Sequence, residues 1–94
     1  MRVKLSPQRS DEPYSFEVLS ETSIRINGSE FDIRDSVITD WFNVPVTPPR
    51  VTSVTASEEY GYDVEVAYPY KIGEDCDYKE VVTNGPKVIF DNWR

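Results

Sequence analysis

The stretch SIRINGSEFDI, residues 23–33, decides the fold of the first third of the chain. Asn27 and Gly28 stand between two short runs in which apolar and polar residues alternate. A type I′ turn needs positive φ at two consecutive residues, and Asn-Gly adopts that conformation at low cost. The stretch therefore predicts a β-hairpin with one buried face and one solvated face. The side chains expected on the buried face are those of Ile24, Ile26, Phe31 and Ile33, with Ile24 and Phe31 as directly opposed, buried neighbours.

The preceding segment YSFEVL, residues 14–19, alternates in the same way. Pairing Val18 with Ile24 keeps the apolar face continuous across a third strand. That pairing requires an odd-numbered loop, most simply residues 20–22, because a shift of one residue would turn every side chain to the other face. A three-stranded meander over 14–34 is the result.

A connector follows the meander. Residues 35–42, DSVITDWF, are compatible either with one short helix that Asp35 caps or with irregular, extended structure, since β-branched residues are poor helix formers. The next seven residues, NVPVTPP, contain three prolines that force their neighbours into extended conformations. The segment 35–49 is therefore interpreted as a rigid, proline-rich connector.

The second half of the chain, residues 50–94, repeats the alternating pattern. Two strand-like runs flank a predicted loop at 57–59, which places Val54 opposite Tyr62. Near the C-terminus the runs VVT and KVIF flank NGP and indicate a hairpin-like pair at a sheet edge, because Pro86 has no N–H to donate to a ladder. These patterns together predict one all-β domain over residues 1–94, a small antiparallel sandwich or partly closed barrel built from hairpins.

Composition excludes several kinds of chemistry. The chain has no His and one Cys, so a Ser-His or Cys-His nucleophile and an internal disulfide are both impossible within it. Cys76 lies between Asp75 and Asp77, whose charges disfavour a thiolate. The net charge of −7 argues against binding nucleic acid or an anionic membrane and favours a basic partner. We expect no catalytic residue, no cofactor and no enzyme activity.

An acidic loop follows the long second-half strand. The sequence GEDCDYKE, residues 73–80, offers several carboxylate oxygens of the kind that bind Ca²⁺. Its spacing differs from that of an EF-hand loop, so we interpret it as a solvated loop and expect no metal site there.

The start MRVKLSPQRSDE, followed by the hairpin RINGSEFDI, resembles a family of small proteins that are encoded in the tail-gene modules of tailed bacteriophages and prophages. The later segments NVPVTPP, VEVAYPYKIG and TNGP have counterparts in that family, so the resemblance extends over most of the chain. It implies a non-enzymatic role in a virion or in the host cytoplasm, as a structural or assembly accessory protein of the tail or baseplate region. Its partners would be other phage structural proteins or a second copy of this chain.

The sequence leaves two other functions open. Its length and charge suit an acidic inhibitor that mimics DNA on a host nucleic-acid enzyme, and its Tyr and Trp residues suit a small glycan-binding module. The segment 79–93 is too apolar for an open edge, so it either closes the protein's own sheet or, together with Tyr70, forms the main contact surface for a partner. The predicted contact residues are Tyr70, Lys87, Phe90 and Trp93.

Overall fold

The computed structural model describes residues 1–10, 12–37, 47–70 and 78–91. These residues form eight β-strands in two four-stranded sheets, with strand orders β5-β6-β1-β7 and β4-β3-β2-β8. The sheets pack face to face and do not close into a barrel, so the all-β prediction is confirmed in its sandwich form. The strands are β1 Arg2–Arg9, β2 Ser15–Val18, β3 Ser23–Ile26, β4 Ser29–Asp32, β5 Val51–Ser57, β6 Gly61–Tyr70, β7 Lys79–Val82 and β8 Lys87–Asp91.

The N-terminal meander has the predicted register. Asn27 and Gly28 have φ values of 50° and 83°, as a type I′ turn requires. Ile24 lies opposite Val18 on one side and opposite Phe31 on the other. Ile24 is fully buried, whereas Phe31 is only half-buried, because β4 ends its sheet and lacks a neighbour among the described strands. The expectation that Phe31 is as buried as Ile24 is therefore wrong.

The first strand, β1, departs from the predicted antiparallel arrangement in one of its two pairings. It lies inside its sheet, antiparallel to β7 but parallel to β6, with Val3 opposite Val64 and Leu5 opposite Val66. The alternation of Met1, Val3 and Leu5 was present in the sequence as a signal for a strand. The parallel partner lies some sixty residues away, and turn chemistry carries no information about such a pairing, since a parallel pair has no hairpin.

The last two strands do not form the predicted hairpin. β7 pairs with β1 in one sheet, and β8 pairs with β2 in the other. Between them, residues 83–86 cross from the edge of one sheet to the edge of the other; we call these residues the crossover. The prediction that this segment lies at a sheet edge was right, and the predicted pairing of its two strands was wrong. The Asn-Gly-Pro sequence connects strands of the two different sheets and does not form a hairpin turn.

The β5–β6 hairpin differs from its predicted register by two residues. Val54 lies opposite Val64, and Tyr62 lies opposite Ala56. The connecting residues are 58–60, because Gly61, with φ of 83°, supplies the left-handed conformation that closes the turn. A two-residue shift preserves the faces, so the valines still point into the core.

Of residues 35–42, for which the sequence left a short helix or extended structure open, only 35–37 lie within the described residues. A single 3-10 turn spans Ile33–Ser36, with the Asp32 carboxylate accepting a hydrogen bond from the Arg34 N–H. Val37 is already extended and forms a parallel bridge with Val54, which joins the two sheets on this side. Residues 38–46 of the connector lie outside the described residues.

The core fills the space between the two sheets. The Phe90 ring packs against Tyr68 of the opposite sheet with a centroid distance of 5.4 Å, and against Tyr14 at 6.3 Å. Aromatic side chains bury large areas, and this compensates for an aliphatic content that is modest for a compact domain. The buried apolar residues are Met1, Val3, Leu5, Tyr14, Phe16, Val18, Ile24, Ile26, Ile33, Val51, Val54, Val64, Val66 and Tyr68.

Candidate functional site: the β7–β8 edge and the end cleft

The large apolar side chains that remain exposed in the described part of the chain are concentrated in one segment. Tyr78 is 54% exposed, Val82 58% and Val88 57%. They lie just before β7, at its end, and near the start of β8, respectively. Since β7 and β8 each end a sheet, we call residues 78–91 the β7–β8 edge. Exposed apolar residues grouped at strand edges are typical of a protein contact surface.

The backbone of this edge is protected against indiscriminate strand pairing. β7 is only four residues long and begins with Lys79 and Glu80. In β8, Phe90 lies opposite Phe16 and Val88 opposite Glu17, so Ile89 is the additional residue of a β-bulge. Short edge strands, charges and bulges all oppose edge-to-edge aggregation. The edge therefore favours recognition through its side chains over simple addition of a strand.

The predicted contact residues have different environments. Lys87 is exposed at the start of β8, whereas Phe90 is half-buried against Tyr68. Tyr70 is half-buried at the end of β6, packs against the core, and accepts a hydrogen bond at its carbonyl from the Ser10 N–H. Trp93 lies outside the described residues. Val82 and Val88 lie within the predicted surface 79–93 but were not among the four residues singled out, because their exposure depends on which strands end the two sheets.

A cleft of about 500 Å³ opens at one end of the sandwich, and we call it the end cleft. The β2–β3 turn, the 3-10 turn, the β5–β6 turn and the crossover contribute to its walls. Its volume falls within the range of roughly 300–1,000 Å³ that is typical of ligand sites. The residues that line it are Glu21, Thr22, Arg34, Glu59, Tyr60, Gly61, Tyr62 and Asn84.

The charges in the end cleft do not balance. Arg34 is already paired with Asp32, with 2.6 Å between Nη2 and Oδ2, and this hydrogen bond lowers the pKa of the Asp32 carboxyl. Within the described part of the chain, neither Glu21 nor Glu59 makes an ion pair. The cleft therefore presents two carboxylates that make no ion pair, beside two tyrosine side chains, while the Met1 ammonium is hydrogen-bonded to Asn84 at its wall.

The Tyr60 ring already contacts a cation of the chain itself, Arg2. The Arg2 guanidinium lies 4.7 Å from the centroid of the Tyr60 ring, within the range of a cation–π contact. The same guanidinium binds Asp63 with two hydrogen bonds, Nε to Oδ1 at 2.7 Å and Nη2 to Oδ2 at 3.0 Å. Hydrogen bonding to Arg2 lowers the pKa of the Asp63 carboxyl, against the opposing effect of its partial desolvation.

The Arg2–Asp63 pair gives stability a defined pH dependence. Because the pKa of Asp63 is lower in the folded state than its ordinary value of 3.8, its contribution is present above that pH and is lost as the pH falls through the folded-state pKa. We expect Asp63→Asn to lower the free energy of unfolding at pH 7, and the difference from wild type to shrink below about pH 4. Urea denaturation at a series of pH values measures this, with Glu58→Gln on an exposed turn as the control. A stability difference between Asp63→Asn and wild type that stays constant as the pH falls would contradict this pH dependence.

One buried titratable group has a structural explanation. Tyr14 is 1% exposed, and burial raises the pKa of its hydroxyl. That hydroxyl donates a hydrogen bond of 3.0 Å to the carbonyl oxygen of Pro49, the last residue of the connector. Tyr14, which directly precedes β2, therefore ties the end of the connector to the N-terminal meander.

Neither a metal-binding cluster nor a membrane-spanning helix is found in the described ranges. No group of three or more Cys, Asp or Glu side chains among them is arranged to hold a metal ion. Residues 73–77 of the acidic loop, Cys76 among them, lie outside the described residues. None of the helical structure found in the described ranges is long and apolar enough to cross a membrane.

Comparisons with known proteins give no relative from which a site could be transferred. No protein-family model, no curated protein and no solved structure matches the chain.

Proposed function

We propose that this chain is a structural or assembly accessory protein of a phage or prophage tail or baseplate region, and that it acts by binding other proteins. The observation that carries the proposal is the grouping of Tyr78, Val82 and Val88 on the β7–β8 edge. Exposed apolar side chains on the terminal strands of both sheets favour a partner that covers them. The resemblance of the N-terminal sequence to tail-module proteins supports the identity of the partner as a phage structural protein, or a second copy of this chain.

The proposal includes neither catalysis nor a cofactor, and places the protein in the virion or in the host cytoplasm. An acidic DNA mimic is disfavoured by the arrangement of charges on the solvated faces. On one sheet Arg25 bridges Glu17 and Glu30 across three strands, at 3.2 and 3.0 Å. A mimic of the phosphate backbone needs carboxylates in an uninterrupted row, and Arg25 interrupts it.

Deletion of the gene from the phage or prophage that encodes it tests the proposal. We expect particles with defective or missing tails in electron micrographs, and we expect mass spectrometry to find the chain in wild-type particles or in their tail assembly intermediates. Complementation with the wild-type gene is the control. Normal infectious particles without the gene, together with absence of the chain from particles and intermediates, would contradict the proposal.

A further inference from the structure

We infer that the end cleft binds a cationic side chain, arginine or lysine, of the partner protein. The inference rests on the proposed protein-binding function and adds the chemistry of the partner. It starts from the two carboxylates in the cleft, Glu21 and Glu59, which have no ion pair within the described part of the chain. The arginine beside them is neutralised by Asp32.

The aromatic residues of the cleft favour the same ligand. Tyr60 and Tyr62 are both half-exposed and line the cleft. The Arg2 guanidinium already lies over the Tyr60 ring, with Cζ 4.7 Å from its centroid, so a ligand cation would use the Tyr62 ring together with the carboxylates. An electron-rich ring face and a nearby carboxylate together form a site for a guanidinium or an ammonium group.

The position of the cleft links it to the β7–β8 edge. Asn84 lines the cleft and belongs to the crossover, two residues after Val82 and four before Val88. Its side-chain carbonyl accepts a hydrogen bond of 2.7 Å from the Met1 ammonium, which fixes the crossover to the start of β1. A partner could therefore cover the exposed valines while one of its basic side chains enters the cleft. The net charge of −7 favours the approach of such a partner.

A neutral sugar is the competing ligand, since tyrosine rings and carboxylates also occur in glycan sites. The two ligands differ in their response to salt. Binding of a cation by exposed carboxylates weakens as ionic strength rises, whereas stacking of a neutral sugar does not depend on it in this way.

Titration of the isolated chain with Nα-acetyl-arginine amide, followed by ¹⁵N–¹H NMR, tests the inference. We expect saturable shifts in the backbone amides of residues 21–22 and 59–62, which weaken on addition of salt. Nα-acetyl-citrulline amide has the same shape without the charge, and we expect it to cause no saturable shifts. The double variant Glu21→Gln with Glu59→Gln should bind the arginine compound about tenfold more weakly, or about 1.4 kcal/mol.

The matched control is Glu58→Gln, an exposed residue of the same turn that does not line the cleft, and we expect it to bind as wild type does. Equal shifts with the citrulline compound, salt-independent shifts with methyl glucoside at the same amides, or no saturable shifts in the cleft would overturn the inference. The titration uses no phage component, so its failure is distinguishable from failure of the proposed function. Binding in the titration with absence of the chain from particles would instead refute the tail assignment alone.

Discussion

Gly85→Ala is expected to lower the free energy of unfolding by about 3–5 kcal/mol. Gly85 lies in the crossover with φ of 77°, a conformation that costs an L-residue about 1–2 kcal/mol. A Cβ atom there would also lie 2.7 Å from the carbonyl carbon and oxygen of Leu19, and 2.7 Å from the carbonyl oxygen of Val18. These are backbone atoms at the end of β2, so they cannot move aside as a flexible side chain would. The crossover would have to shift away from the sheet, and the β7–β8 edge with it.

Gly28 is the matched control, because it isolates the cost of conformation. Its φ of 83° is similar, but a Cβ added to it meets no atom within 4 Å. We expect Gly28→Ala to cost only about 1–2 kcal/mol. Urea denaturation of both variants measures the difference. Equal destabilisation by the two substitutions would show that the close approach at Gly85 contributes nothing.

Phe16→Ala is expected to cost about 3–5 kcal/mol, the usual range for truncation of a fully buried phenylalanine. Phe16 is 0% exposed and lies on β2 between Ile26 of β3 and Phe90 of β8. Its removal leaves a cavity at the centre of one sheet and withdraws support from Phe90, which packs across the core on Tyr68. The loss is a large share of the total stability of a small domain, which is typically about 5–15 kcal/mol.

Phe31 provides the comparison for Phe16. It belongs to the same meander but is half-buried on an edge strand, so we expect Phe31→Ala to cost about 1–2 kcal/mol. Phe16→Leu, which keeps most of the volume, should cost less than about 1.5 kcal/mol and gives a folded variant if Phe16→Ala does not fold. Thermal and urea denaturation measure all three variants. A larger effect at Phe31 than at Phe16 would contradict the assignment of the core.

Local turn chemistry explains why part of this fold was predictable. Asn27 and Gly28 determine both the turn type and the register of the meander, and the alternation of apolar residues determines which face is buried. The β5–β6 hairpin was predicted with the right faces but the wrong register, since the left-handed position belongs to Gly61 and the loop therefore begins one residue later. Short-range information of this kind is present in the sequence and can be interpreted directly.

The remaining features depend on contacts that are distant in sequence. The parallel pairing of β1 with β6 and the separation of β7 from β8 are set by the packing of two sheets, which no local motif reports. The candidate site depends on the same topology, because Val82 and Val88 are exposed only as members of terminal strands. The end cleft brings together residues from four separate segments, so the sequence predicted neither the cleft nor its unpaired carboxylates.

Site-specific photo-cross-linking tests the central claim, that the β7–β8 edge binds a partner protein, most directly. In the phage that encodes the chain, p-benzoylphenylalanine would replace Val88. In a matched variant it would replace Thr55, an exposed residue of β5, which ends its sheet on the side opposite to β7. After irradiation of tail assembly intermediates, we expect a cross-link from position 88 to one defined tail protein, or to a second copy of this chain, and none from position 55. The same cross-links from both positions, or cross-links from position 55 alone, would contradict the claim.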